Sequence, residues 1–440
     1  MDRLSVLLLT LHDHLVGHLV GYRSGRNILL FAEEFAHDPT RPTLSLITHP
    51  RFPKSPELLR RDWLRHQRLH PLLSNLLPEG ALRELLAQGL KTHIDHEFEL
   101  LAWLGRDLPG ALIATPMAPD EVPETLLRRL AFADPAGIER IEPIDLASRF
   151  SLAGIQMKFS MKEKDGRYNL AQGGADSAQT ELGDWIIKTP STRHAQVPLN
   201  EYSAMTLAAL AGIDIPEIRL IKLDQLENLP PINLPQETQA FAIRRFDRRQ
   251  TKGQIERIHM EDFAQVLVKY PKEKYGAANY EQIGRILYQY SGDGIADVQQ
   301  LARRLLVNIL LANGDAHLKN WSLLYDDRVT PRLSSAYDIL TTRVYIDGER
   351  NAALNLAGNK DWYLASMNSF RRWADKSAIP WRLIKPHLDD TLDRARTLWP
   401  EALQQQPMLE RHKDALRIHW QQLHADFRIR TGATGPIKRP

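Results

Sequence analysis

The chain has 440 residues, of which 43% are hydrophobic and 25% charged, a composition typical of a folded globular protein. Its net charge of +3 is too small to indicate nucleic-acid binding, and the absence of cysteine excludes disulfides, thiol catalysis and cysteine-ligated zinc. The apolar run Leu4–Leu11 is too short for a signal peptide, and no window reaches the roughly 20 apolar residues of a membrane span. We therefore expect a cytoplasmic protein with no membrane contact.

The N-terminal segment alternates apolar runs with turn-forming residues, which predicts a small strand meander followed by helices. We interpret residues 1–114 as an N-terminal α+β subdomain. Its predicted strands are Leu4–Leu11, Leu15–Tyr22 and Asn27–Phe31, and its predicted helices are Pro56–His66, Ala81–Leu90 and Asp95–Leu104.

Prolines between residues 115 and 142 predict a linker. Residues 143–260 follow with three strand-like runs and one helix, Asn200–Ala211, a pattern typical of a nucleotide-binding N-lobe. The predicted strands are Lys158–Met161, Trp185–Lys188 and Ala240–Phe246.

Residues 261–440 are predicted to be mostly helical, as a C-lobe. One of these helices, Asp297–Ala312, is apolar over a broad stripe, which predicts a buried central helix. The other predicted helices are Glu261–Val268, Tyr280–Tyr290, Ile379–Leu398 and Pro407–Arg428.

A polar loop interrupts this apolar region. In LLANGDAHLKNWSLLY, residues 310–325, the central helix leads into Asp315 and Asn320, and a strand-like run follows. The spacing of these two residues is that of the aspartate and asparagine in the protein-kinase catalytic loop. Tyr337-Asp338-Ile339 then occupies the position of the kinase Asp-Phe-Gly motif. The order of helix, loop, hairpin and aspartate predicts the C-lobe of a phosphotransferase.

Each of these side chains has a physical task in that interpretation. Asn320 and Asp338 supply two oxygen ligands, which suits Mg2+ because this ion keeps several waters. Asp315 would accept the proton of an attacking hydroxyl, and Lys188, on a strand, would hold nucleotide phosphates. Taken singly, an aspartate or asparagine is a common turn former and a lysine is usually a surface residue. His317 fits a hydrogen-bonding brace of the loop better than it fits a base.

A second feature is Ser151-Leu152-Ala153-Gly154, a turn of small residues between strand-like runs. Such a turn lets backbone N–H groups approach a phosphate. Its single glycine is nevertheless far from a phosphate-loop signature, so an ordinary β-turn explains it equally well.

Several motifs together resemble the HipA family, the serine/threonine protein kinases of bacterial toxin–antitoxin modules. The resemblance covers almost the whole chain and implies an α+β, two-lobed protein-kinase-like fold, related to that of phosphoinositide kinases. It adds a small N-terminal β-rich subdomain and a mostly helical C-lobe. The motifs are NLLPEG at 75–80, SLAGIQMK at 151–158, WIIK at 185–188, LNEY at 199–202, RRFDR at 244–248, EDFAQ at 261–265, NGDAHLKNWS at 313–322 and SAYDI at 335–339.

The resemblance also implies roles for individual residues. Asp315 would be the catalytic residue, Asn320 and Asp338 the magnesium ligands, and Ser151 the serine that HipA-like kinases phosphorylate in their own loop. A phosphoserine there adds up to about two negative charges where ATP phosphates sit, so the loop would be expelled and the kinase silenced. The implied nucleotide contacts are Lys188, Gly154, Gln156, His317 and, at a hinge that meets adenine through backbone groups, Arg244 and Phe246.

The implied function is a toxin that transfers the γ-phosphate of ATP, with Mg2+, to a bacterial protein and to itself, causing growth arrest and persistence. Family substrates include aminoacyl-tRNA synthetases. The usual partner is a small HipB-like helix-turn-helix antitoxin, which brings the kinase to operator DNA. Two alternatives stay open. The G-D-x-H-x-x-N order at 314–320 also resembles lipid and small-molecule kinases, and an inactive corepressor would only bind an antitoxin and DNA.

Overall fold

The computed structural model describes residues 3–130, 137–141, 152–153, 157–170, 182–229, 232–252 and 254–430. Its N-terminal sheet has strands β1 (Leu4–Leu11), β2 (His14–Tyr22), β3 (Arg26–Phe31), β4 (Trp63–His66) and β5 (Leu112–Pro116). They pair antiparallel in the order β4-β3-β2-β1-β5. The predicted strand meander is therefore confirmed. The helices of this region are α1 (Glu33–His37), α2 (Ser55–Arg60), α3 (Pro71–Ser74), α4 (Gly80–Gly89) and α5 (Glu97–Leu104).

The helix predicted over Pro56–His66 is wrong in its second half. It ends at Arg60, and Trp63–His66 adds a strand to the edge of β3. The Trp63 ring packs edge-on against Phe31, with ring centroids 5.0 Å apart. Pairing with an open sheet edge and burial of this aromatic ring outweigh the local helical period.

Both faces of the N-terminal sheet are covered. Alternate residues of β1 point to opposite faces, so that Leu7 and Leu9 belong to one core cluster while Leu4 and Val6 belong to another. The second cluster includes Leu126, in the short helix α6 (Glu124–Arg129), and Ile138. The segment whose prolines predicted a linker thus covers one face of the sheet.

A second sheet forms the middle of the chain, where all three predicted strands and the helix are confirmed. Its six strands have the order β10-β13-β9-β7-β8-β11. The elements are β7 (Lys158–Lys164), β8 (Arg167–Leu170), β9 (Trp185–Lys188), α7 (Val197–Leu210), β10 (Ile218–Lys222), β11 (Leu226–Glu227) and β13 (Gln239–Arg244), with the short pair β6 (Leu152–Ala153) and β12 (Ile232–Asn233) beside them. The predicted site residues Ser151, Gly154 and Gln156 lie outside the described residues.

The C-terminal part is largely helical, and the central helix is confirmed as α10 (Gly294–Leu310), in which Leu301, Leu306 and Leu310 have no exposed surface. The remaining helices are α8 (Phe263–Val266), α9 (Tyr280–Tyr290), α11 (Met367–Lys376), α12 (Trp381–Gln405) and α13 (Glu410–Gln422). The strands are the hairpin β14 (Arg248–Thr251) and β15 (Gln254–Arg257), then β16 (His259–Asp262), β17 (Ser322–Tyr325), β18 (Arg332–Leu333), β19 (Asn351–Leu356) and β20 (Asn359–Asp361). Within the described part of the chain, none of the helices combines the length and apolarity that a bilayer crossing requires.

The helix predicted over Glu261–Val268 is wrong at its start. Residues His259–Asp262 form β16, which pairs with β17, the strand that follows the polar loop. The Asp262 carboxylate accepts a hydrogen bond from the Gln265 amide at 2.9 Å and so caps α8. This cap stops the helix from extending toward Glu261.

The central helix should carry much of the stability of the C-terminal part. We expect Leu306→Ala to lower the free energy of unfolding by about 2–5 kcal/mol, because it leaves a cavity in a packed core. Ile295→Ala on the same helix is the control, since Ile295 is 47% exposed and its loss should cost no more than about 0.5 kcal/mol. Urea denaturation measures both values, and equal losses would contradict this account of the core.

Candidate active site

A buried lysine joins two carboxylates at the end of β9. The Lys188 ammonium donates hydrogen bonds to the Glu201 carboxylate on α7, at 2.5 Å, and to the Asp338 carboxylate. Lys188 is only 4% exposed and Glu201 only 2%. A buried charge needs a charged or strongly hydrogen-bonding partner, so these three side chains depend on one another.

The same contacts set the protonation of the group. Burial alone would lower the pKa of Lys188, but the carboxylates of Asp338 and Glu201 outweigh it and raise that pKa, which keeps the ammonium charged. Burial likewise opposes ionisation of Asp338, yet Lys158 and Lys188 hold its pKa well below the ordinary value. For Glu201 burial prevails and raises the pKa.

Asp338 has an unusual backbone. Its φ of 57° lies in the left-handed region, which aspartate adopts more readily than most residues. The Lys158 ammonium, on β7, donates to the second Asp338 oxygen at 3.3 Å. Strained backbone at a charged, partly exposed residue is typical of functional sites.

The polar loop after α10 is held by its own hydrogen bonds. The Asp315 amide donates to the Asn313 side chain at 3.0 Å, and the Asn320 side-chain amide donates to the Asp315 carbonyl at 2.7 Å. Gly314 permits close packing here, because a Cβ atom would lie 2.3 Å from a Glu349 carboxylate oxygen. The spacing of Asp315 and Asn320 thus closes a compact loop.

The Asp315 carboxylate points outward and is 42% exposed. The Tyr275 hydroxyl donates to one of its oxygens at 2.6 Å, and His317 Nε2 lies 3.9 Å from the same oxygen. Burial lowers the pKa of His317, so its imidazole is neutral at pH 7. Charges on Asp315 and Asp338 both act on this imidazole, so it lies near both carboxylates.

The two predicted hinge residues differ in their surroundings. The Arg244 amide donates to the Glu217 carbonyl at 2.8 Å, so it is not available to an adenine base. Its guanidinium is partly exposed, near Glu217. Phe246 is half-buried, and its ring lies 5.5 Å from that of Tyr337, the neighbour of Asp338. The hinge role of both residues stays a prediction.

The oxygen-bearing groups fit a hard divalent cation. The hydrogen bond from the Asn320 amide nitrogen orients this side chain and leaves its carbonyl oxygen as a ligand, and Asp338 contributes a carboxylate that stays ionised. Mg2+ takes such sparse protein ligation when phosphates and water complete its shell. Among the described residues no three His, Asp or Glu side chains form a metal cage.

Three residues of this site were not among the predicted ones. Lys158 and Glu201 stand inside the motifs SLAGIQMK and LNEY, so their motif membership was a usable signal. Tyr275 reaches Asp315 from a separate segment 40 residues earlier, and no spacing in the sequence indicates that contact.

Family models match most of the chain. The model of the HipA-like C-terminal domain matches residues 150–399, and that of the HipA N-terminal domain matches residues 7–115. The chain belongs to the HipA family. The predicted family is thus confirmed.

Individual relatives agree with this assignment. A protein of Sinorhizobium fredii named "Putative kinase Y4dM" is 38% identical over 419 residues, which cover 95% of this chain and 97% of the relative. The "Serine/threonine-protein kinase toxin HipA" of Shewanella oneidensis is 23% identical over 396 residues, which cover 84% of this HipA-family chain and 85% of the relative. A structure of Shewanella oneidensis HipA with HipB and operator DNA has a TM-score of 0.69 at 20% identity, covering 95% of this chain and 97% of that one. The predicted fold class is confirmed by this likeness.

The contact of Lys188 with its carboxylate partners should make stability depend on pH in a testable way. We expect Lys188→Met to lower the free energy of unfolding by about 3–5 kcal/mol at pH 8, because the buried Glu201 carboxylate is left without its cation and Asp338 keeps only Lys158. The folded-state pKa of Glu201 then rises further above the unfolded one, so the variant takes up protons on folding and its deficit shrinks as the pH falls from 8 to 5. In the wild type the depressed pKa of Asp338 contributes stability that is lost only as the pH falls below the ordinary carboxyl range.

Urea denaturation at pH 5 and pH 8 measures this deficit. Lys385→Met is the control, because Lys385 and Asp389 form an exposed i,i+4 pair worth no more than about 0.5 kcal/mol. A Lys188→Met deficit that does not change with pH would show that the carboxylates do not depend on this ammonium.

Proposed function

We propose that this HipA-family protein is a kinase that transfers the γ-phosphate of ATP to a serine or threonine hydroxyl of a protein. The observation that carries the proposal is the buried Lys188, paired with Glu201 on a helix and with Asp338 beside the polar loop. Protein kinases require the same combination of a strand lysine, a helix glutamate and a metal-binding aspartate. The 38%-identical relative, whose name describes a kinase, also supports the proposal.

The chemistry follows from the state of each group. The Lys188 ammonium stays charged and would contact the α and β phosphates, while the more exposed Lys158 lies at the same carboxylate and would contact phosphate oxygens as well. Asn320 and Asp338 would hold Mg2+, which when bound offsets phosphate charge. Asp315 would accept the proton of the acceptor hydroxyl while that oxygen bonds to the γ-phosphorus and the bond to ADP breaks.

The finer points of the proposal follow the family. Autophosphorylation at Ser151 would add negative charge shortly before β7, the strand that carries Lys158; the neighbouring Leu152–Ala153 pairs as strand β6 and not as the turn that the sequence predicted. A HipB-like antitoxin is proposed as partner and operator DNA as its target, since a protein of the same fold has been solved with both. We propose growth arrest through phosphorylation of a bacterial protein, such as an aminoacyl-tRNA synthetase, as the outcome.

Two other functions make different demands on the site. An inactive corepressor has no need for a buried charged lysine between two carboxylates. Such an arrangement stabilises a fold no better than apolar side chains would, and it is found most often at functional sites. A lipid or small-molecule kinase would use the same groups, so only the acceptor distinguishes it from a protein kinase. The partly exposed Asp315 carboxylate suits an acceptor presented from a protein surface.

Phosphate transfer provides the direct test. We expect wild-type protein incubated with radiolabelled ATP and Mg2+ to become labelled on Ser151, and Asp315→Asn to slow this labelling by about a hundredfold to ten-thousandfold because the proton acceptor is lost. Nucleotide affinity, measured by calorimetry, should change little in this variant. Mass spectrometry of the labelled protein identifies the modified residue.

Asp326→Asn is the matched control, because Asp326 is an exposed carboxylate in the turn between β17 and β18. Its labelling rate should equal that of the wild type. Labelling that survives Asp315→Asn would overturn the assignment of Asp315. If Ser151→Ala abolishes labelling of the protein itself but not of an added protein acceptor, Ser151 is the self-modified residue.

The Tyr275 hydroxyl should affect how tightly the acceptor binds. This hydroxyl already donates to one Asp315 oxygen, so an acceptor hydroxyl that approaches this oxygen competes with it. We expect Tyr275→Phe to lower the KM for a protein acceptor by about twofold to tenfold, which corresponds to the net free energy of one hydrogen bond. The KM for ATP should not change. Steady-state kinetics measures both constants, and a loss of kcat/KM would instead assign Tyr275 to orienting the carboxylate.

A further inference from the structure

The NLLPEG segment of the N-terminal region touches the polar loop directly. This segment, residues 75–80, lies between α3 and α4. The Lys319 ammonium, next to the proposed metal ligand Asn320, donates to the Asn75 carbonyl at 2.7 Å and lies 3.3 Å from a Glu79 carboxylate oxygen. Two residues of this segment thus contact the Lys319 side chain of the polar loop.

The other oxygen of Glu79 holds a second lysine. Lys274 donates to it at 2.8 Å, and Lys274 immediately precedes Tyr275, whose hydroxyl contacts Asp315. One carboxylate therefore ties together two segments that meet at Asp315. Burial would raise the pKa of Glu79, but Lys319 and Lys274 outweigh it and lower that pKa, so the carboxylate is ionised at neutral pH.

The loop is also anchored from its opposite side. The Tyr337 hydroxyl donates to the Lys319 carbonyl at 2.8 Å, and Tyr337 precedes Asp338. Lys319 is therefore held at its carbonyl by the segment that carries Asp338, and at its ammonium by the N-terminal region and by the Asp262 carboxylate, 3.4 Å away on β16. A shift of this residue would move Asn320 with it, because the two are adjacent.

Attachment of the N-terminal region does not itself require Glu79. The guanidinium of Arg248 donates to the carbonyls of Leu108 and Gly110, and the Gly110 amide donates to Asp247, at 2.8–3.1 Å. The buried Glu261 carboxylate accepts hydrogen bonds from Ser45 and from the Leu46 amide. These contacts lie on other elements, so the Glu79 contacts are additional to those that join the two regions.

We propose that Glu79 is a positioning residue: the N-terminal region, through Glu79, fixes the geometry of the polar loop and of the Tyr275 segment around Asp315. This inference rests on the proposed kinase function. Glu79 contacts no reacting group, since it acts on Asn320 through Lys319 and on Asp315 through Lys274 and Tyr275. Loss of its charge should loosen the loop while leaving the ion pair of Lys188 with Glu201 intact.

Glu79→Gln in the full-length protein tests the proposal, because it removes the charge and keeps the size. We expect kcat for phosphate transfer to fall by roughly twofold to thirtyfold, the range of a coupling between contacting elements, while the KM for ATP stays within twofold. Hydrogen exchange should become faster in the amides of residues 313–321 and stay unchanged in β9. The control is Asp62→Asn, which removes a partly exposed carboxylate of the N-terminal region that pairs with Arg129 away from the loop.

A double-mutant cycle with Lys319→Met isolates the contact between Glu79 and Lys319. Glu79→Gln should have a much smaller effect on kcat and on loop exchange when Lys319 is already methionine. Additive effects, or a kcat and loop exchange equal to those of the wild type in Glu79→Gln, would overturn the positioning role. If Glu79→Gln is insoluble, Glu79→Asp decides, because it keeps the charge but withdraws the carboxylate from both lysines, and it should reproduce the loss of kcat and the faster exchange.

The two proposals fail in different ways. A wild-type protein that transfers no phosphate overturns the kinase function and the positioning role together. A wild-type protein that is active and insensitive to Glu79→Gln overturns only the positioning role. A fall in melting temperature with unchanged kcat would likewise assign Glu79 to stability alone.

Discussion

The arrangement of the site depends on one buried cation. Lys188 ends a strand of the middle sheet and is enclosed by Glu201 from a helix and by Asp338 from the C-terminal part. In a medium of low polarity such a trio stabilises the fold no better than well-packed apolar side chains would, and removal of one member is costly. Its presence therefore points to a use for the charges, and it joins the middle sheet to the C-terminal part, where we propose that the nucleotide binds.

Around this trio the loop after the central helix supplies the remaining groups. Asp315 is exposed enough to meet an acceptor, whereas His317 is buried and neutral, and its Nδ1 has no hydrogen-bond partner among the described residues, so the predicted role as a hydrogen-bonding brace is not supported. The Tyr275 hydroxyl occupies one Asp315 oxygen, and Glu79 reaches the same region through two lysines. The site is thus assembled from the N-terminal region, the middle sheet and the helical part together.

Much of this could be predicted from the sequence wherever the signal is local. The central helix has a broad apolar stripe, and the loop residues Asp315 and Asn320 follow it at a recognisable spacing. Motif membership pointed to Lys158 and Glu201 but not to their partners, and the contact of Tyr275 with Asp315 had no signal at all. Lys158 and Lys188 meet Asp338 across 180 and 150 residues of chain, distances over which no local pattern indicates a contact. The errors over 56–66 and 261–268 have the same origin, since pairing with a distant strand outweighed the local helical period.

The central claim is that the Lys188 ammonium and the carboxylates of Asp338 and Asp315 surround one nucleotide. A crystal structure with Mg2+ and a non-hydrolysable ATP analogue tests it most directly. The account predicts phosphate oxygens about 2.7–3.2 Å from the Lys188 ammonium, the metal between Asn320 and Asp338, and the Asp315 carboxylate facing the γ-phosphate. A nucleotide bound elsewhere, with Lys188 still enclosed by its two carboxylates, would contradict it.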